Sequence, residues 1–335
     1  MEPLFRSSGQ QIRPFITSAE ITARCCSMPL QRAITDFGAD HAFGLVPKKL
    51  QEHYGMAVPV STVRNITEYH AHQMHEQREM ATLPTTPGCQ QQVAEIDGCM
   101  LPIVTIAPDA TDKRKQKKLH WQEARLALVH EQGSASPRFD ATFGGVNEAG
   151  QSLLNCAVAA GFGTQTHLHG VGDGAFWIAD QIKHKFGSQA SYLADFYHVC
   201  EYLAEASKTC APNDSKEWMD IQKSLLKNND YALVIDHLTA YLEADEVENN
   251  KAPVRACHRY LSNRTDQLDY KGAIEKGLPI GSGEIESAHR YVIQKRLKLP
   301  GAWWKAANVE PMLTLRVVRA NDEWNDYWRN SSEAA

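Results

Sequence analysis

Five stretches of strand length and strand composition, three of them in immediate succession, constrain what this chain can fold into more than any other feature. They lie at 92–106, 123–131 and 138–143, then at 164–171 and 191–195, and helical patterns at 147–160 and 175–186 separate the later ones. Three strands in a row followed by alternating helix and strand predict an α/β fold, a mixed five-stranded sheet with helices. Almost everything after 195 reads as helix. No internal repeat or low-complexity segment breaks the pattern.

The rest of the sequence narrows the class. At 335 residues the chain has room for a catalytic body with smaller attachments. No apolar run approaches the ~18 residues a membrane helix needs, and the N-terminus lacks a signal-peptide pattern, so the expectation is a cytoplasmic protein with no membrane partner. The eight cysteines contain no C-x-x-C pair and no short Cys/His cluster, which argues against a zinc ribbon or a disulfide scaffold. A net charge of −5 makes no global case for nucleic acid. Charge is nevertheless unevenly spread. Residues 113–118 are basic at five of six positions, and 286–320 hold seven Lys/Arg against two acids, while 243–248 is acidic. Each run alone is also what a solvated face looks like.

Ahead of the strands, residues 1–40 lack a strong period, although 34–38 looks ordered. A helical pattern then runs from 43 to 54, Gly55 stops it, and Ser61 stands where it would cap a second helix from Thr62 past His70. This reads as a helix-turn-helix at about 41–75. Its second helix offers Thr62, Arg64, Asn65 and Glu68 near its start, where recognition helices meet base edges. Two helices around a glycine turn also occur in proteins that never touch DNA. Leu83-Pro84-Thr85-Thr86-Pro87-Gly88 reads as a linker, with a domain boundary near it.

Three acidic positions carry the chemistry. Asp97 sits inside the first strand, where a charge is costly without a partner. Asp173 ends a later strand at Gly172-Asp173-Gly174, and strand ends in α/β sheets are where ligand sites form; Asp between glycines is also ordinary turn chemistry. The third position lies in Gly281-Ser282-Gly283-Glu284-Ile285-Glu286-Ser287, a flexible entry into a helix continuing through Arg290 and Arg296, with His289 and Arg290 expected on the face of Glu286. Either glutamate also suits a helix N-terminus. Two aspartates and a glutamate are hard oxygen donors suited to Mg²⁺ or Mn²⁺. Two such ions ~3.5–4 Å apart would support in-line attack on a phosphodiester.

These residues resemble bacterial insertion-sequence transposases of the DDE type, most closely the ISKra4 family. The resemblance rests on an ordered set: Ile96-Asp97-Gly98, Trp121-Gln122-Glu123-Ala124-Arg125, the run from His169 through Gly172-Asp173-Gly174 to Ile178, Asp195-Phe196-Tyr197-His198-Val199, Leu278 through Glu286-Ser287, and Lys295 through Trp304. Pro29-Leu30-Gln31-Arg32 and 35–40 fit as well, so the likeness spans about 25–320.

The resemblance implies an RNase H-like core in which the strand bearing Asp97 lies beside the strand bearing Asp173 and a late helix brings in Glu286. It implies metal held by Asp97, Asp173 and Glu286, with Glu286 preferred to Glu284. It also implies a helical insertion at about 201–275, between a first catalytic part at 90–200 and a C-terminal catalytic helix and basic region at 276–330, all following an N-terminal DNA-binding region at 1–82. Asp195 and His198 form an accessory D-x-x-H element. His198 has three readings open: orienting a carboxylate, contacting DNA, or simply starting a helix. Double-stranded DNA, as element ends and target, is the implied partner, bound through Thr62, Arg64, Asn65, Arg290, Lys295, Arg296 and Lys298 by a homodimer or higher oligomer in the bacterial cytoplasm, associated with the nucleoid. Relatives carry a longer N-terminal region, often with cysteines of a zinc-binding kind. The chain starts short of it, which implies either a truncated copy or a shortened DNA-binding part.

Overall fold

A computed structural model of the chain describes residues 4–5, 11–12, 26–106 and 117–333. The strand-length stretches form a single five-stranded sheet in the order β5-β4-β3-β6-β7. Its members are β3 (Gln91–Ile106), β4 (Lys117–Glu131), β5 (Arg138–Thr142), β6 (His167–Gly172) and β7 (Ala190–Ala194). β5 pairs antiparallel with β4, while β6 runs parallel to β3 and β7 parallel to β6. The sheet is therefore mixed, as the order of patterns predicts. β4 begins six residues before the expected 123 because 117–122 are uniformly exposed and carry no alternation to read. A separate antiparallel pair joins β1 (Leu4–Phe5) to β2 (Gln11–Ile12).

The chain forms two compact units, and they do not follow sequence order. One comprises 1–79, 99–124 and 289–335; the other comprises 80–98 and 125–288.

The second unit holds the parallel strands. Successive strand residues face opposite ways, so Ala94 and Ile96 join Leu168 against Leu153, Ile178 and Ile182 of α4 (Val146–Ala159) and α5 (Phe176–Phe186). Val93 and Leu193 point the other way, into a core built by α6 (Phe196–Cys210), α7 (Ser215–Lys227), α8 (Tyr231–Thr239), α9 (Pro253–Ser262) and α10 (Tyr270–Glu275). Helices cover both faces, so residues on both sides of these strands are buried. The unit ends with α11 (Gly283–Ala288).

The first unit packs α1 (Met28–Asp40), α2 (Val46–Tyr54) and α3 (Val60–Glu76) around Ile34, Val46, Leu50, Val63 and Ile66. Gly55 terminates α2 in the left-handed conformation, φ 65°, as expected of a C-terminal glycine. Ser61 does not cap α3: the capping position belongs to Pro59, and Ser61 lies in the first turn, because the proline ring fixes the extended entry one residue before the helix. Later segments complete the unit: a π-helix over His289–Gln294, then α12 (Lys295–Leu297), α13 (Ala306–Ala320) and α14 (Trp324–Glu333). Of the two residues expected on the face of Glu286, His289 is buried, whereas Arg290 is exposed as Glu286 is.

Among the described residues no helix is long and apolar enough to cross a membrane, and the cysteines are free thiols.

Candidate active site

Strand register sets the geometry of one end of the sheet. β3 and β6 pair from Gln91↔His167 to Glu95↔Val171, so two further residues carry Asp97 level with Asp173. β6 and β7 pair from Leu168↔Ala190 to Gly172↔Ala194, and one further residue brings Asp173 level with Asp195. Three aspartates thus occupy equivalent positions on adjacent parallel strands, whose backbones lie about 5 Å apart. The ends of β6 and β7 are the carboxyl ends where α/β sheets form ligand sites.

Asp173 is presented on a turn that helix α9 and its C-terminal flank hold from outside. Its carboxylate is exposed, and Oδ1 accepts the Ala175 N–H at 2.8 Å. Gly174 adopts φ +84°, a region L side chains avoid, and its N–H donates to Tyr192 Oη at 3.0 Å. Tyr260 Oη donates to the Asp173 carbonyl at 2.7 Å, and Arg264 Nε donates to the Gly174 carbonyl at 2.7 Å. Burial pushes both phenols above their ordinary range, so both stay protonated at neutral pH. Tyr192, Tyr260 and Arg264 escape sequence reasoning, since nothing local to them signals a partner up to ninety residues away.

Two carboxylates anchor the segment that carries the glutamates. Asp195 caps α6, its Oδ1 accepting the N–H groups of Tyr197 and His198 at 2.6 and 3.2 Å. Its Oδ2 accepts the Ser282 N–H at 2.7 Å and the Ser282 hydroxyl at 2.6 Å. Phe196 N–H adds a bond to the Ile280 carbonyl at 2.8 Å. Glu95, 2% exposed, accepts the Ile285 N–H at 2.8 Å. Burial pushes its carboxyl up to about 8, reinforced by the nearby Glu284 and Asp195 charges and opposed by the backbone N–H groups it accepts. Glu95 was legible in principle: it is a second acid on the strand of Asp97, two residues away and so on the same face.

These anchors bring the first turn of α11 to the aspartate line. Glu284 Oε2 lies 3.3 Å from His130 Nε2 on β4, whereas Glu286 stands exposed. Among the described residues no group of three or more His, Cys, Asp or Glu side chains is arranged to hold a metal ion. Asp97 is half-buried and Asp173 and Glu286 are exposed, and their carboxylate oxygens are the donor type that Mg²⁺ and Mn²⁺ take. His198 packs edge-on against Tyr202 and Tyr260, with Nδ1 3.4 Å from Glu201 on its own helix.

The expected DNA-binding residues lie in the first unit. Arg64 is exposed and Thr62 and Asn65 are half-buried; Arg290, Lys295 and Lys298 are exposed, with Lys295 3.6 Å from Asp40. Arg296 departs from the expectation. It is 2% exposed, donates Nε to the Gly38 carbonyl at 2.8 Å, and lies over the Phe43 and Trp304 rings at 4.5 and 4.8 Å. Its guanidinium is enclosed inside the unit, because its apolar neighbours 292, 293 and 297 carry the same turns inward. Of the basic run at 113–118, Lys117 and Lys118 are exposed on β4 and the remainder lies outside the described residues.

A sequence family described as "Uncharacterised protein family (UPF0236)" matches residues 164–329. The matched region contains Asp173, Asp195 and Glu286 and leaves out Asp97. No curated protein matches the chain.

Proposed function

We propose that the chain is a DNA transposase of the DDE, RNase H-like kind, similar to the ISKra4 insertion-sequence family, cutting and joining DNA at element ends. The register that sets Asp97 level with Asp173 on neighbouring parallel strands carries this reading. Further support comes from the glutamate-bearing helix, tied to the same strands through Glu95 and Asp195, and from the matching family, which is associated with transposase-like proteins.

In this reading Asp97, Asp173 and Glu286 hold two Mg²⁺ or Mn²⁺ ions, which supply charge neutralisation at the phosphodiester and a nucleophile of lowered pKa. The chain's own groups do the positioning. Tyr260 and Arg264 fix the backbone under Asp173, Asp195 fixes the Gly281–Gly283 entry, and Glu95 holds the start of α11. Helices α2 and α3 act as a helix-turn-helix on double-stranded DNA, and Arg290, Lys295 and Lys298 meet phosphates. Paired cleavage of two ends calls for a homodimer or higher oligomer, working in the bacterial cytoplasm on the nucleoid.

The deciding experiment is Mg²⁺- or Mn²⁺-dependent cleavage and joining of DNA carrying the ends that flank the encoding element, with Asp173→Ala alongside. Metal-dependent products that vanish in the variant support a transposase. Salt-sensitive binding of those ends with no products under either metal would instead favour a DNA-binding regulator of the element, and metal-dependent hydrolysis of small phosphoesters without DNA affinity a hydrolase.

A further inference from the structure

Beside Asp173 lies a row of planar groups that runs from half-buried Tyr202 through buried Tyr260 and Arg264 to exposed Phe176. Tyr202 and Tyr260 are stacked, with centroids 4.4 Å apart and an interplanar angle of 27°. The Arg264 guanidinium lies 4.0 Å from the Tyr260 centroid and 4.4 Å from the Phe176 centroid. Arg264 is 9% exposed, whereas Phe176 is 52% exposed. Phe176 opens α5, three residues after Asp173, and the turn between them is held by the same Tyr260 and Arg264 through the Asp173 and Gly174 carbonyls.

Half of the Phe176 ring is open to water, and the guanidinium that lies over it also lies over Tyr260, which restrains the ring. A ring held in this way offers a preformed surface for stacking. Rigid π faces backed by arginine are what unpaired nucleobases stack on. A base inside a duplex has both faces covered by its neighbours, so only an unstacked base can present one to Phe176.

We infer that Phe176 is the platform for an unpaired nucleobase next to the phosphodiester brought to Asp173, so that the substrate strand is splayed at the reacting position. The inference rests on the transposase reading and adds the form of the DNA that the site takes.

The test uses the full chain, without divalent metal, and two DNA probes of one sequence: a blunt duplex and the same duplex with a short single-stranded extension carrying 2-aminopurine at the junction. Wild type binds the extended probe more tightly and changes the fluorescence of the junction base. Phe176→Ala weakens binding of the extended probe by roughly tenfold and abolishes the fluorescence change, with blunt-duplex affinity unaltered. Phe176→Leu, which keeps apolar bulk against Arg264 but has no π face, behaves like the alanine variant, and Phe176→Trp retains both signals. An equal preference for the extension in wild type and Phe176→Leu overturns the platform and leaves the transposase reading standing. Absence of binding to either probe by wild type overturns both.

Discussion

Glu95 on β3 accepts the backbone N–H of Ile285 at 2.8 Å, tying the strand of one candidate metal ligand to the helix of another across 190 positions of sequence. The acid that makes this bond is among the most buried polar groups of its unit, which gives it a measurable signature.

Because Glu95 titrates at about 8 when folded against an ordinary 4.5, the folded state binds the extra proton between those values. Its contribution to stability is therefore complete below about pH 4.5 and lost as pH rises through 8. In metal-free buffer, urea unfolding followed from pH 5 to 9 should show wild type losing stability across that range, on the order of a few kcal/mol at most. Glu95→Gln, which keeps the acceptor oxygen and removes the titration, should flatten the profile; an unchanged slope would remove Glu95 as its source.

Asp195 accepts four hydrogen bonds with its two oxygens, two from the start of α6 and two from Ser282. Loss of a helix cap and of charged hydrogen bonds predicts a cost of about 2–4 kcal/mol for Asp195→Ala in chemical denaturation. Asp195→Asn should lose less, since one amide oxygen still serves α6. Equal losses for the two variants would argue that Ser282 is the partner that matters.

Gly174→Ala puts a Cβ into a φ of +84° and against Tyr260 Oη. Strain of roughly 1–3 kcal/mol is expected. DNA cleavage should fall far more than thermal stability, because the turn presenting Asp173 must move. Full activity in this variant would show that the turn tolerates displacement.

The basic residues of the first unit divide by burial. Arg296 is enclosed between Phe43 and Trp304, and burial lowers its guanidinium to about 10, still charged at neutral pH. Arg296→Ala should destabilise by about 2–3 kcal/mol through lost hydrogen bonding and ring contact. Lys298→Ala and Arg290→Ala should leave unfolding unchanged while each lowers the salt dependence of DNA affinity by about one counterion. A salt slope insensitive to both lysine and arginine removal would take phosphate contact away from this surface.

His70 offers the opposite pH signature. Buried with Nδ1 2.7 Å from Tyr327 Oη and Nε2 2.9 Å from Gln31 Oε1, it is lowered by burial to about 4. A depressed basic group contributes stability that is present above about 6.5 and lost as pH falls through 4. Tyr and Trp fluorescence of the first unit should report loosening on acidification through that window, and His70→Gln should remove it.

What was legible in the sequence was local. Apolar runs with strand composition located the sheet's five members, Gly55 located a helix end, and Asp97, Asp173 and the 281–287 segment stood out as charge or glycine where a packed core has neither. Periodicity is written into neighbouring residues, and so it can be read from them. Tertiary structure alone decided the rest. The identity of Glu95, Tyr260 and Arg264 as the groups that position those carboxylates depends on contacts over scores to nearly two hundred residues, and no local pattern encodes a partner that distant. The inward course of Arg296 was likewise settled by packing against rings from two other segments, and so was the grouping of 99–124 and 289–335 with the N-terminal helices. Propensity and spacing fix which elements form; burial, which is a property of the assembled chain, decides which of their charged side chains are left free to act.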